Sequence, residues 1–167
     1  YSPMPGVPLL RERIAEKIRL TYGAKVDPDT EITVTAGGTQ AIFCAIAAFV
    51  RPGDEVILLE PCYDSYRPSV ETVGGTAVVH ALSAPDYKVD WSEVGRLITP
   101  RTRMLCLNTP QNPTGTILRE PDMLAINELL RGTDVLVMSD EVYEHLIYDG
   151  EQHASALRYP ELYKRTL

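Results

Sequence analysis

Four short apolar runs constrain this chain most: Glu55 to Glu60, Thr76 to Ala81, Arg103 to Asn108 and Val135 to Met138. Each has apolar residues at consecutive positions rather than at alternate ones, so it is a strand buried on both faces. Helical patterns separate them. Strands and helices in alternation define an α/β fold, a three-layer α/β/α arrangement with a mostly parallel sheet and helices on both faces.

The helical segments follow from their periodicity and punctuation. Leu9 to Tyr22 carries Leu9, Leu10, Ile14 and Ile18 on one side, with Arg11, Glu12, Glu16 and Lys17 elsewhere. Pro8 suits its first turn and Gly23 its end. A β-branched stretch, Glu31 to Thr35, reads as a further strand. It is broken at Ala36-Gly37-Gly38-Thr39 before an almost wholly apolar helix, Gln40 to Val50. Helices are expected over Asp64 to Val73, with Pro68 in the first turn or at a kink, and over Asp90 to Ile98, with Asp90 as N-cap. The last runs from Arg119 to Arg131, with Gly132 as its cap. Tyr163 to Leu167 reads as the start of another strand.

Composition narrows the function classes. With 167 residues the chain can enclose one real core. A net charge of −7 opposes nucleic acid as a main partner, since phosphate binding needs a basic surface. No apolar run reaches membrane-spanning length. The opening residues do not form a signal peptide. Cys44, Cys62 and Cys106 are far apart and have apolar neighbours, which implies buried thiols in a reducing, cytoplasmic compartment. Asp140 and Glu141 have His145 and His153 nearby, but no metal-ligand spacing such as HExxH is present. Metal is therefore not expected, and Cys62 has no sequence-evident base to make it a nucleophile.

In a parallel sheet, ligands bind outside the carboxyl ends of the strands. Polar and aromatic residues follow the strands here. Gly38 and Thr39 precede a helix whose free N–H groups and dipole favour an anion; the plain alternative is a tight turn with a capping threonine. Tyr63 suits the face of a flat ring, or simple packing. Asn112 offers an amide, or forms a turn. Asp140 ends a buried run, where a carboxylate needs a partner: a cationic ring nitrogen, a cap or a salt bridge. Tyr143 follows three residues on, to reach the same ligand or to pack.

Taken in order, these segments resemble class I/II, fold-type-I, pyridoxal-phosphate-dependent aminotransferases, and among them the methionine and kynurenine aminotransferase branch. The likeness rests on residues 1–11 (YSPMPGVPLLR), 34–41 (VTAGGTQA), 52–56 (PGDEV), 60–66 (EPCYDSY), 108–115 (NTPQNPTG) and 139–144 (SDEVYE). It implies pyridoxal 5'-phosphate as cofactor, with Gly38 and Thr39 at its phosphate and Tyr63 stacked on its ring. Asn112 and Tyr143 are implied as donors to the ring's 3-oxygen, and Asp140 as the partner of the pyridine nitrogen. Tyr1 is implied to reach the phosphate in a neighbouring subunit, and so a homodimer. Pro61 and Pro113 match positions that are often cis.

The resemblance further implies transamination between an amino acid, sulfur-containing or aromatic, and a 2-oxo acid. Carbon–sulfur lyases, cyclopropane-carboxylate synthases and aminotransferase-like effector domains of transcription regulators share the same cofactor residues and are the alternatives. The lysines are Lys17, Lys25, Lys88 and Lys164, and none matches the family's Schiff-base lysine. Residues 1–167 are therefore expected to be part of the cofactor-binding large domain, without the catalytic lysine segment or the small domain, and inactive alone.

Overall fold

The computed structural model describes residue 1 and residues 3–167; Ser2, within the opening stretch quoted above, lies outside the described residues. The chain divides into two units, Tyr1–Ala41 and Ile42–Leu167.

In the first unit, α1 (Pro8–Tyr22) starts with Pro8 in its first turn and stops at Gly23, whose N–H reaches the Arg19 carbonyl at 3.1 Å. Its burial departs from the expected stripe. Leu9 and Leu10 are exposed, whereas Arg11 is 6% exposed. The Arg11 guanidinium accounts for this: it donates to the carbonyls of Gly6, at 3.3 Å, and of Pro28, and lies 3.3 Å from Asp29. A buried cation persists when its donors are used in this way. The expected strand from Glu31 to Thr35 forms no ladder among the described residues. β-branched residues favour extension, but a strand also needs a neighbour, and within this unit the Val34 N–H finds only the Pro5 carbonyl, at 2.9 Å.

Helix α2 (Gly38–Phe49) runs from the first unit into the second. The second unit holds β1 (Glu55–Glu60), β2 (Thr76–Ala81), β3 (Thr102–Asn108) and β4 (Leu136–Asp140). Among the described residues these form one parallel sheet in the order β2-β1-β3-β4. Between them come α3 (Tyr66–Thr72), α4 (Trp91–Leu97) and α5 (Glu120–Leu129); a 3₁₀ turn at Ala156–Arg158 and α6 (Pro160–Tyr163) follow.

Strand alternation divides the interior into two clusters. On one face Ile57, Leu59, Leu105, Leu107 and Val137 pack with Val94, Met123, Ile126 and Leu162 from α4, α5 and α6. On the other, Val56, Leu58, Met104, Cys106 and Met138 pack with Ile42 and Ile46 of α2 and Tyr66 and Val70 of α3. The three-layer α/β/α fold read from the sequence is therefore the observed one. Each such side chain, fully buried, stabilises by about 1.5–3 kcal/mol before its entropy cost. Of the three cysteines expected to be buried, only Cys106 is; Cys62 is half-buried and Cys44 exposed. Ile42 and Ile46 face the sheet, and Cys44 sits two residues from each, on the other side of the helix.

Element ends follow local chemistry. The Asp90 carboxylate accepts from the N–H groups of Ser92 and Glu93, at 2.9 and 3.2 Å, as an N-cap should. α3 begins at Tyr66, two residues later than expected, which leaves Pro68 in its first turn. α5 ends at Leu129; Gly132 takes its left-handed φ of 73° in the turn beyond. β4 is longer than its apolar run. It extends to Asp140 because Ser139 and Asp140 pair with Leu107 and Asn108. Beside it, residues 165–167 begin parallel pairing through Val137 and Thr166; the strand start read over Tyr163 to Leu167 therefore comes later than expected, since Tyr163 ends α6 and Lys164 caps it.

Candidate functional site at the carboxyl edge of the sheet

Because every strand is parallel, β1, β3 and β4 end on the same edge. β3 lies between the other two, so the loop after Asn108 occupies the middle of that edge.

Asp140 is the last residue of β4 and lies on the Met138 face. Its Oδ2 accepts the Tyr66 hydroxyl at 2.7 Å, and its Oδ1 accepts the Val142 N–H at 3.2 Å. Tyr66 is 2% exposed. Burial pushes its phenol far above the ordinary tyrosine range, and the bond to Asp140 and that group's charge push it further, so Tyr66 is a fixed neutral donor. Tyr63 meets the Tyr66 ring edge to face, with centroids 5.8 Å apart and planes at 81°. A carboxylate has about four acceptor positions. Two are taken here, which leaves capacity for a further donor.

The β3 loop is built on two internal amides. Asn108 donates to the Asp140 carbonyl at 2.9 Å and accepts the Asn112 N–H at 2.7 Å. The same carbonyl accepts the Thr109 N–H at 3.0 Å. Gln111, 7% exposed, donates to the Pro61 carbonyl at 3.1 Å, while its own oxygen accepts the Thr114 hydroxyl. Asn112, between these braces, is half-buried, and its side-chain amide makes no hydrogen bond among the described residues. The Glu60–Pro61 and Asn112–Pro113 peptides are cis, as the resemblance implies, and so are Ala84–Pro85 and Thr109–Pro110. Tyr143 is half-buried in the turn just past β4. The structure thus brings Tyr63, Asn112, Asp140 and Tyr143 to one sheet edge.

Glu141 turns the other way. Its Oε1 accepts the Ser139 hydroxyl and the Ala156 N–H at 2.8 and 3.0 Å, and its Oε2 lies 2.7 Å from His153 Nε2. Burial alone raises its pKa, but the bonds from His153, Ala156, Ser139 and Ser155 prevail and hold it below the ordinary glutamate range. Cys62, beside Tyr63, has its thiol pushed up to about 11 by burial and by Glu60, which removes it as a nucleophile at neutral pH. A cavity of about 670 Å³ opens beside Leu82, Tyr87, Leu118 and Tyr148, but neither Asp140 nor Tyr63 lines it.

In the first unit, Gly37 has φ +91°, a conformation that favours glycine, and the next residue opens α2. The Gln40 side chain accepts the Ala36 N–H at 2.6 Å, and the Thr35 hydroxyl donates to the Gly37 carbonyl at 2.9 Å. Gly38 and Thr39 occupy the first turn of this twelve-residue helix, where backbone N–H groups point away from the helix. Tyr1 is fully exposed.

Sequence reading did not single out Tyr66, Asn108 or Gln111. Tyr66 carried a signal: it shares a helical face with Ser69 and Val70 and follows Tyr63 by three residues. Asn108 and Gln111 carried none beyond membership in a recognisable stretch.

A strand-end carboxylate held by a buried phenol thus shares one sheet edge with an amide, a second phenol and an aromatic ring. The chain matches the description "Aminotransferase class I and II" over residues 1–166, and it belongs to that family. Members of this family depend on pyridoxal 5'-phosphate. The chain is 46% identical over its whole length to a methionine aminotransferase of Escherichia coli (strain K12) and 41% identical to a probable N-succinyldiaminopimelate aminotransferase of Mycobacterium tuberculosis. It spans 43% of the length of each. A solved Escherichia coli structure with a methionine aminotransferase function superposes with a TM-score of 0.98 at 46% identity, over 99% of this chain and 44% of that one. An aromatic aminotransferase from Pyrococcus horikoshii superposes with a TM-score of 0.95 at 38% identity, again over 99% of this chain and 44% of that one.

Proposed function

We propose that the intact protein transfers an amino group from a sulfur-containing or aromatic amino acid to a 2-oxo acid, using pyridoxal 5'-phosphate, as a cytoplasmic homodimer. The observation that carries this is Asp140: a carboxylate fixed by Tyr66 at a parallel strand end, with acceptor capacity remaining, beside the uncommitted amide of Asn112. The donor set fits the cofactor. Asp140 holds a proton at the pyridine nitrogen, while Asn112 and Tyr143 donate to the ring's 3-oxygen. Tyr63 covers the ring. Gly38 and Thr39 bind the phosphate through helix N–H groups and a hydroxyl, and Tyr1 reaches the phosphate of the neighbouring subunit's cofactor.

Bound there, pyridoxal phosphate supplies the electron-withdrawing ring that acidifies the amino acid's Cα–H bond. Asp140 sustains that withdrawal by keeping the nitrogen protonated. The base that moves the Cα proton is not Lys88, which pairs with Asp86 on an exposed loop, nor Lys164, which pairs with Glu161. Residues 1–167 are a partial cofactor-binding domain in this reading. A sulfur-containing substrate is supported by the relative named for methionine at 46% identity; relatives named for aromatic amino acids and kynurenine match at 36%, below one named for aspartate/prephenate at 43%.

The test is Asp140→Ala in the intact protein, assayed by exchange between methionine or an aromatic amino acid and a 2-oxo acid. A loss of about two to three orders of magnitude in turnover is expected. Unaltered turnover sinks the assignment. Ammonia and 2-oxo-acid release without amino transfer would identify a lyase instead.

A further inference from the structure

Gln111 is enclosed and fully committed. Its amide nitrogen faces two carbonyls at the end of β1, those of Pro61 at 3.1 Å and Leu59 at 3.5 Å. Its amide oxygen faces the hydroxyls of Thr114 and, at 3.5 Å, Thr116. An amide offers two donors and two acceptor positions, and all four are directed at protein groups. At 7% exposed, its side chain has nothing left for a ligand. Its main chain is tied as well: its N–H reaches the Thr116 carbonyl and its carbonyl accepts the Gly115 N–H, both at 2.8 Å.

What it connects is specific. Pro61 is two residues before Tyr63, and Gln111 is one residue before Asn112. β1 and β3 are neighbours in the sheet, but among the described residues their pairing runs only as far as Ile57 with Leu105 and does not hold the loops beyond in step. Asn108 makes the matching connection on the other side, from the β3 loop to the Asp140 carbonyl.

We propose that Gln111 is a positioning residue: a strut that sets the Tyr63 segment relative to the Asn112 loop. The consequence for ligand binding rests on the pyridoxal-phosphate reading of the site; the coupling of the two loops does not. A strut of this kind orders both walls before a ring arrives, so binding does not have to order them.

The experiment compares the cofactor-free protein with Gln111→Leu and Gln111→Glu by site-resolved amide hydrogen exchange. The amides read are Asn112 and Gly115 in one loop and Tyr66 after the other; the Tyr66 N–H bonds the Tyr63 carbonyl at 3.3 Å. In Gln111→Leu, exchange at all three is expected to accelerate at least tenfold over the wild type, while amides of β2 and α5 keep their protection. In Gln111→Glu, the carboxylate meets two carbonyls at neutral pH and the same acceleration appears. At acid pH the protonated carboxyl can donate again, and the ratio to wild type at equal pH falls back toward one. That recovery also decides the matter should the leucine variant not fold.

Wild-type exchange at Tyr66 in both variants, or a Gln111→Glu effect independent of pH, overturns the strut. A pyridoxal-phosphate titration of the same three proteins is read separately. At least tenfold weaker binding in Gln111→Leu extends the strut to the ligand, and binding within twofold of wild type refutes that extension. Absence of binding by the intact wild-type protein refutes the cofactor reading and leaves the exchange result to decide the coupling.

Discussion

Asp140 and Glu141 are adjacent carboxylates with opposite fates. The pleat at the end of β4 turns Asp140 toward Tyr66 and the α2–α3 face, and Glu141 toward Ser155, Ala156 and the α5–α6 face. Glu141 is saturated by its neighbours: hydroxyl, backbone N–H and imidazole all point at it. Asp140 has one phenol and one backbone N–H and opens to the sheet edge. One acid closes a loop of the fold; the other stands ready for something outside it. Sequence adjacency of two acids thus says little about shared chemistry when a strand separates their directions.

The sharpest way to break this contrast is to remove each acid in turn. Glu141→Ala strands His153, Ser139 and the Ala156 N–H in a buried space, and should cost about 3–5 kcal/mol in urea unfolding. Asp140→Ala should cost only about 1–3 kcal/mol by the same measurement, because of the groups that lose their partner only the Tyr66 hydroxyl is buried, Val142 being exposed. Equal losses would erase the distinction between a structural acid and a poised one.

Acid titration probes the same pair more gently. Glu141 has a folded-state pKa below its unfolded value. Its stabilising effect is therefore complete above the ordinary glutamate range and fades as pH falls through the lowered value. The unfolding free energy of Glu141→Gln should depend less steeply on pH than that of the wild type in that acid window. Parallel curves would mean that the imidazole and hydroxyl partners contribute nothing to the charge.

The smallest effect belongs to Tyr66→Phe, at about 1.5 kcal/mol of stability, since one neutral-to-charged bond is lost and the ring remains. Its value lies in the readout. If the intact protein has the proposed activity, Tyr66→Phe should lower turnover far less than Asp140→Ala, and a loss as large as that of the carboxylate would make Tyr66 more than a support.

The strands legible from sequence were those whose apolar runs are bounded by turn residues. Glu55–Glu60 and Thr76–Ala81 stand where expected because Pro52-Gly53, Pro61 and Gly74-Gly75 delimit them. Glu31 to Thr35 has the same β-branched composition yet forms no ladder among the described residues, because strand pairing is a property of two segments and composition describes one. Helical periodicity sets Arg11 off the apolar side of α1, and it cannot reveal the carbonyl supplied by a turn seventeen residues away that lets Arg11 be buried. The candidate site divides in the same manner. Tyr63, Asn112, Asp140 and Tyr143 were visible because they follow apolar strands within stretches that resemble a known family; taken singly, each also admits packing, a turn or a cap. Residues that hold them, Tyr66 and Gln111, were not, because each acts on a partner 50 or more residues away: Tyr66 on Asp140 at 74, Gln111 on Pro61 at 50.

The doubly covered sheet also acts as a partition. The two apolar clusters share strands but no side chain, and the sheet between them sets their substituents on opposite sides of one peptide layer. Substitutions such as Met123→Leu on one side and Val70→Ile on the other should therefore combine additively, to within about 0.5 kcal/mol. A lineage of such proteins could rework the packing beneath α4 and α5 generation after generation while the chamber that holds Tyr66 and Asp140 stays as it was.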